Sequence, residues 1–200
     1  MSRSIRILLP LILFSCGLLF SGTFFPGLSL SGPAASGGPG LEGFWKFLPG
    51  KSTDIASWGY SLPQIDISTA DGKVRVIHDW LDRGNVAFAD TFEFRPGGGE
   101  VTSVVRSEVW PDNWYMGVLS SPGEARNVSG RWLEPEKAFR VVARQNVRTS
   151  QGETAVTTTR DYTLGPEGKT LTLTEQRSSR PSPVVLVFER NGTSPRSDIK

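Results

Sequence analysis

The chain offers few side chains for catalysis. It has one histidine, His78, and one cysteine, Cys16. A Ser-His-Asp or Cys-His arrangement needs a histidine beside its nucleophile, and Cys16 lies in an apolar N-terminal run that is predicted to be a signal. Zinc needs several His or Cys ligands, so no zinc site is expected. Catalysis by paired carboxylates is not expected either, because the acidic residues fall mostly in turns and on predicted outer faces. We therefore expect no catalytic residue, no metal and no cofactor, and a protein that is not an enzyme.

Two polar residues nevertheless fall on faces that are otherwise apolar. Alternation along residues 73–82 places His78 on a face with valines, and alternation along 86–94 places Asp90 among phenylalanines. If the two segments pair as a hairpin about residues 83–85, position 78 lies opposite position 90. An unpaired buried polar group costs roughly 1–3 kcal/mol. His78 and Asp90 are therefore expected to face each other inside the fold.

This pair has two interpretations. In one, His78 and Asp90 only satisfy each other in the core. In the other, they are polar anchors in a cavity for a small, mostly apolar molecule, because such sites are concave, apolar and equipped with a few polar groups. The ligand-binding residues predicted on the second interpretation are His78, Trp80, Phe88, Asp90, Phe92, Phe139, Gln145 and Tyr162.

The elements that would position these side chains are β-strands. From residue 64 onward, apolar and polar residues alternate, turn residues recur at short intervals, and no segment has helical periodicity. Asp71-Gly72 is a strong signal for a two-residue hairpin turn. Short hairpin connections imply antiparallel neighbours in sequential order, and a long sheet must close or form two layers to protect its edges. Of barrel and sandwich, we favour an all-β antiparallel up-and-down barrel of about 8–11 strands.

The start of this body contains Gly43-Phe44-Trp45, and "GFWKFLPGKS" is followed much later by "DYTLGPEGKTLTLTE". These stretches resemble small exported bacterial proteins of the lipocalin-like (calycin) type, over roughly residues 42–190. The resemblance implies that Trp45 closes one end of the barrel beneath an arginine of a late strand. By position that arginine is Arg190 or, second, Arg177; alternatively, Trp45 is an ordinary core aromatic residue.

Residues 1–35 are predicted to be an export signal or a membrane anchor. Arginines at the start precede an apolar run, and small residues follow it, which is the order of a signal peptide. Three fates are open: cleavage between Ser31 and Ser36, retention as an anchor that tethers the chain to a membrane through residues 7–28, or lipidation of Cys16. Residues 36–41 are predicted to be a flexible spacer.

The charge balance and the length of the chain indicate its partners and its domain bounds. Without Arg3 and Arg6 the 22 basic residues fall to 20, which equals the 20 acidic residues. A neutral domain with alternating charges lacks the basic cluster that nucleic acid requires, so no nucleic-acid partner is expected. We predict a barrel domain over residues 42–191 and a disordered tail over 192–200. The protein is expected to be exported, as a periplasmic, cell-surface or secreted form.

The sequence thus predicts an exported binding barrel for a small, mostly apolar ligand. The alternative is a solid-core envelope module that acts through its outer face, and interior volume distinguishes the two. Arg140, Arg144 and Arg148 share a predicted outer face, where pairing with acids of neighbouring strands is favoured. The remaining loop tryptophans and tyrosine are predicted to cap the barrel ends: Trp58, Tyr60, Trp110 and Trp114.

Overall fold

The computed structural model describes residues 40–55, 61–82, 85–105, 123–149 and 152–192. Threonine, valine and isoleucine at alternating positions favour extended backbone here, because branched side chains pack well on a pleated surface. The strands are β1 Gly43–Phe47, β2 Ser61–Ala70, β3 Lys73–Asp82, β4 Asn85–Phe94, β5 Val101–Val104, β6 Ala125–Glu134, β7 Ala138–Thr149, β8 Gly152–Leu164, β9 Thr170–Arg177 and β10 Val184–Arg190.

These ten strands form one antiparallel sheet that is nearly closed. Sequential strands are neighbours from β1 to β4 and from β5 to β10, and β1 also pairs with β10, so the order is β4-β3-β2-β1-β10-β9-β8-β7-β6-β5. The predicted all-β antiparallel barrel is therefore confirmed. Its seam lies between β4 and β5, where no ladder joins the two ends of the sheet in the described ranges.

The hairpin of β2 and β3 has the predicted turn. Ala70 pairs with Lys73, and the two residues between them, Asp71 and Gly72, both have positive φ, at 52° and 71°. Glycine adopts such a conformation at no steric cost, and aspartate tolerates it better than most residues. This turn sets the register of β3 and hence which of its side chains point inward.

The register of β3 and β4 also matches the prediction, with His78 opposite Asp90. Val74 and Val76, on the face of His78, are almost fully buried. A register shift follows Trp80, so the regular alternation ends before the loop. On the other face of β3, Ile77 is buried as well, which the alternation did not predict.

Side chains and one backbone bond close the seam. The Gly97 amide donates to the Gly130 carbonyl at 2.9 Å. A Cβ on Gly130 would lie 2.1 Å from the Phe94 ring, so glycine at this position lets β4 pack directly against β6. Arg126 of β6 donates to the Thr91 carbonyl at 2.5 Å. The barrel is thus closed here by packing rather than by a strand ladder.

Some predictions concern other parts of the chain. Of the strand predicted over residues 101–109, the structure describes β5 up to Val104, and residues 106–109 lie outside the described residues. The short strand predicted near residues 114–119, the export segment, Cys16 and the tail from 193 lie outside the described residues, as do Trp58, Tyr60, Trp110 and Trp114. Among the helical segments that are described, none is long and apolar enough to cross a membrane.

Candidate functional site

Trp45 and Arg190 form the predicted pair at one end of the barrel. The two residues are opposite each other in the ladder of β1 and β10, and the guanidinium carbon lies 4.2 Å from the indole centroid. Trp45 is fully buried, and its indole nitrogen donates to the Leu41 carbonyl at 3.1 Å. The family resemblance left Arg177 as a second choice, and the structure places Arg190 there.

Arg190 also holds the backbone around this pair. Its guanidinium donates to the carbonyls of Gly40, Glu42 and Gly168, at 2.6, 2.5 and 2.9 Å. Gly43 lies directly below, where a Cβ would be 2.7 Å from the Arg190 Nη1 atom. Gly43 also has a φ of 137°, so glycine suits this position through its backbone as well as through the space it leaves for the guanidinium.

Inside the barrel, four of the predicted ligand residues contact one another. The Tyr162 hydroxyl and the His78 Nε2 atom share a hydrogen bond of 2.8 Å. Phe139 stacks on Tyr162 with centroids 4.5 Å apart, and His78 lies edge-on to Phe92 at 5.9 Å. Each of the four is at most 4% exposed. Tyr162, and not Asp90, is thus the hydrogen-bond partner of His78 across the barrel.

Asp90 belongs instead to a row of alternating charges. Its carboxylate accepts from Arg126 at 2.6 Å and lies 4.0 Å from Arg160. Arg160 in turn pairs with Glu175 at 2.5 Å, and Glu175 pairs with Arg177 at 2.6 Å. We call these five residues the arginine network. Each of its two carboxylates serves two arginines.

The network is buried against an aromatic ring. The guanidinium carbons of Arg126 and Arg160 lie 4.3 and 4.6 Å from the centroid of Phe92. The side chains of both arginines are at most 10% exposed, whereas Asp90 keeps 20%. The Nε atom of Arg126 is buried and has no hydrogen-bond partner. This arrangement leaves a cationic donor without an acceptor inside the barrel.

Burial and charge shift the pKa values of this region in different directions. Burial, reinforced by the nearby Arg160, lowers the pKa of His78 from 6.5 to about 3, so its ring is neutral at pH 7. Burial raises the pKa of Tyr162, which keeps the hydroxyl protonated. Burial alone would raise the pKa of Glu175, but Arg160 and Arg177 lower it to about 2. At neutral pH His78 and Tyr162 are thus uncharged, whereas Glu175 is a carboxylate.

The other predicted ligand residues lie on the same strands. Trp80 is buried on β3 and Gln145 is half-buried on β7, opposite Val156. Phe88 pairs with Trp80 in the ladder, but only its backbone is described.

The sequence prediction missed Arg126, Arg160 and Glu175, and it considered Arg177 only as a partner of Trp45. The signal was present, because alternation along β8 places Arg160 on the face of Tyr162, and alternation along β9 places Glu175 on that of the buried leucines. A polar residue on an apolar face was the criterion that selected His78 and Asp90.

The outer arginines pair with acids as favoured. Arg140 donates twice to Asp161 on the neighbouring strand, at 2.6 Å for each bond. Arg144 pairs with Glu100 at 2.5 Å and Arg148 with Glu124 at 3.1 Å. This face is therefore charge-balanced.

No family model matches the chain, and no curated protein does. Among solved structures it is similar to the fatty-acid-binding protein of Manduca sexta, at 13% identity and a TM-score of 0.40, covering 74% of this chain and 98% of that one. Human cRBP IV is 13% identical, with a TM-score of 0.43, and the match covers 76% of this chain and 98% of that one. Secretory abundant heat soluble protein 4 of Ramazzottius varieornatus is 13% identical, with a TM-score of 0.44, and the match covers 78% of this chain and 96% of that one. Similarity at this level concerns the fold, so any functional proposal depends on the side chains of this chain.

Proposed function

We propose that this chain is an exported, non-catalytic protein that binds a small molecule with an apolar body and an acidic head. The observation that carries the proposal is the arginine network inside the barrel. Burying charges is costly even when they are paired, so five charged side chains in a core point to a role beyond packing. Charged groups retained among aromatic rings are instead typical of the polar anchors of a small-molecule site.

The chemistry of the network favours an anionic group. Arginine presents several donors in a planar fork that matches a carboxylate, and Arg126 keeps one buried donor without an acceptor. Asp90, which Arg126 and Arg160 share, is the most exposed member of the pairs it forms. An incoming carboxylate would reach the network beside Asp90, while Phe92 supports both guanidinium groups from below. His78 is neutral and adds no positive charge.

A fluorescent long-chain acid tests this proposal. We expect cis-parinaric acid to bind saturably to the full-length chain, and its methyl ester to bind at least tenfold more weakly, because the ester lacks the charge that the arginines recognise. Arg126→Gln should weaken binding of the acid by about tenfold or more while leaving the ester unchanged. Fluorescence titration measures all four affinities.

Arg140→Gln is the matched control, since Arg140 is an outward arginine already paired with Asp161, and it should bind the acid like the unmodified protein. Equal affinity for acid and ester would refute the acidic head while preserving a binding barrel. Absence of binding by either probe to a folded protein would refute both.

Absence of binding by both probes would favour the solid-core module. One observation supports this alternative: Trp45, Phe92, Phe139, Tyr162 and Phe188 are all at 0% exposure, so large side chains fill part of the interior. Under this alternative the arginine network fixes strand register, and the outer face meets a partner protein.

Export is proposed from the N-terminal pattern alone. Intact-mass measurement on protein recovered from its own host should show a chain that starts between residues 31 and 36, or one that starts at an acylated Cys16, or an intact chain in the membrane fraction. Recovery of an intact chain from the cytoplasmic fraction would contradict export.

A further inference from the structure

The two strands that border the seam keep backbone groups that no neighbouring strand binds. The closing pair of the two-residue hairpin of β2 and β3 is hydrogen-bonded, so alternation across the sheet turns the backbone groups of Thr91 and Glu93 on β4 toward the seam. The Thr91 carbonyl accordingly accepts from Arg126. On β5, Val105 bonds to the residues that lead into β6, so the backbone groups of Val104 also face the seam. In the described ranges no ladder satisfies either edge.

A groove with a volume of about 480 Å³ runs along the outside of the seam, and we call it the seam groove. Val101 and Val104 line it and are 40% and 56% exposed. They are two of the three large hydrophobic residues that are exposed in the part of the chain that the structure describes. Val101 pairs with Val128, which is 0% exposed, so Val101 belongs to the inner face of the sheet and is exposed because no strand lies beside it. The seam groove therefore offers apolar surface next to an open strand edge.

The seam groove also carries an excess of positive charge. Lys73, Arg75 and Arg95 line it and are exposed, whereas Glu93 is the one acidic residue among its described lining residues. Lys73 binds the Glu93 carboxylate at 2.8 Å. Neither arginine forms an ion pair with a described residue, and this includes Asp71 in the turn beside Arg95. Two guanidinium groups therefore remain available beside the open edge.

These features together fit an added β-strand. An unpaired strand edge is a template for another extended chain, whose backbone supplies hydrogen bonds while its alternate side chains supply specificity. A second copy of this chain fits poorly, because pairing β4 with the β4 of another copy would bring the same cations together, and like charges on adjacent strands are destabilising. The charge of the groove instead favours an acidic segment of a different protein.

We propose that the seam groove binds an extended peptide segment of a partner protein in which acidic and aliphatic residues alternate. The backbone of the segment pairs with β4 at Glu93, its carboxylates bind Arg75 and Arg95, and its aliphatic side chains cover Val101 and Val104. None of the five residues of the arginine network lines the groove. The site is therefore separate from the one proposed for the acidic ligand inside the barrel.

Fluorescence anisotropy of labelled peptides with the full-length chain tests this site. The probe is a heptapeptide of alternating glutamate and valine. One control replaces glutamate by lysine, and the other keeps the side chains but has methylated backbone nitrogens. We expect the probe to bind saturably and both controls to bind at least about tenfold more weakly, because one has the wrong charge and the other cannot donate to a strand edge. No binding of the probe to folded protein, or equal binding of its methylated form, would overturn the proposal.

A double variant tests the charges of the groove. Arg75→Gln/Arg95→Gln should weaken binding of the probe about tenfold or more and remove most of its salt dependence. Both positions are exposed, so the melting curve should not change. The matched control is Lys46→Gln/Arg131→Gln, which removes two exposed cations that do not line the groove. An equal loss in the two double variants would indicate nonspecific attraction to surface charge and would overturn the proposal.

Substitutions of Glu93 separate strand pairing from attraction between charges. Glu93→Pro removes a backbone donor that faces the seam, a position at which an edge strand tolerates proline. It also removes a negative charge, so attraction between charges alone would make the acidic probe bind more tightly, whereas strand pairing predicts binding about tenfold weaker. Glu93→Gln removes the same charge but keeps the donor, and it should bind the probe at least as tightly as the unmodified protein. Equal affinity of the two variants would overturn the proposal.

Sedimentation velocity tests the second copy as the occupant. We expect the unmodified chain to sediment as a monomer at the concentrations of the peptide titration. A dimer that Glu93→Pro dissociates would assign the seam groove to a second copy and overturn the proposal. If Glu93→Pro unfolds, the arginine double variant and the methylated peptide still decide between the outcomes.

Discussion

Glu175→Gln is expected to lower the free energy of unfolding by about 3–5 kcal/mol, because it leaves two buried arginines without their shared carboxylate. Glu175 pairs with Arg160 and with Arg177, and the three side chains are at most 10% exposed. Urea denaturation followed by circular dichroism measures the change. Glu93→Gln is the matched control: Glu93 pairs with Lys73 at about half exposure, and that loss should be within about 1 kcal/mol.

The pH dependence of this difference is a second readout. The pKa of Glu175 is about 2 in the folded chain, against 4.5 as its ordinary value. Its contribution is therefore complete above pH 4.5 and is lost as the pH falls from 4.5 toward 2. The difference in unfolding free energy between the unmodified protein and Glu175→Gln should therefore narrow over that range. His78, whose pKa is lowered to about 3, destabilises both proteins as the pH falls from 6.5 toward 3, so its effect largely cancels over that range. A constant gap between pH 7 and pH 3 would show that the carboxylate charge is not what stabilises the network.

Trp45→Ala should have an effect of similar size, about 3–5 kcal/mol, because it opens a large cavity in the core. Trp45 is 0% exposed, and its loss also removes the surface on which Arg190 stacks. Thermal and urea unfolding measure the loss. Trp45→Phe keeps a ring below Arg190 but removes the indole donor to Leu41, so it should cost less than half as much.

Arg190→Met separates the contact of this side chain with Trp45 from its hydrogen bonds to the backbone. The methionine side chain covers part of the indole but cannot donate to the carbonyls of Gly40, Glu42 and Gly168. We expect a loss of about 1–3 kcal/mol, which is less than that of Trp45→Ala. If Arg190→Met were as damaging as Trp45→Ala, the guanidinium rather than the indole would be the centre of this end of the barrel.

Local pattern accounts for much of the fold. The Asp71-Gly72 turn fixes one hairpin through its two positive φ angles, and alternation then determines that Val74, Val76 and His78 share a face. The register that sets His78 opposite Asp90 follows from the same counting, because both residues lie within one hairpin. Properties confined to adjacent strands were therefore predictable from the sequence.

The interior of the site was less predictable because it depends on contacts across the barrel. His78 binds Tyr162, which is 84 positions away, and Asp90 binds Arg126 across the seam. Nothing in an alternating pattern gives the curvature that decides which inward side chains meet. The seam between β4 and β5 was also not predicted, because an alternating pattern does not show which two strands remain unpaired.

The pairing of β1 with β10 affects how this molecule can be made. One edge of β1 pairs with β10, which is the last described strand. That edge of β1 therefore remains unpaired until β10 has been synthesised. Contacts so distant in sequence are slow to form, and an unpaired strand edge promotes aggregation until its partner strand has bound. Synthesis of this barrel therefore includes a long interval in which one edge of β1 is exposed to pairing with other chains.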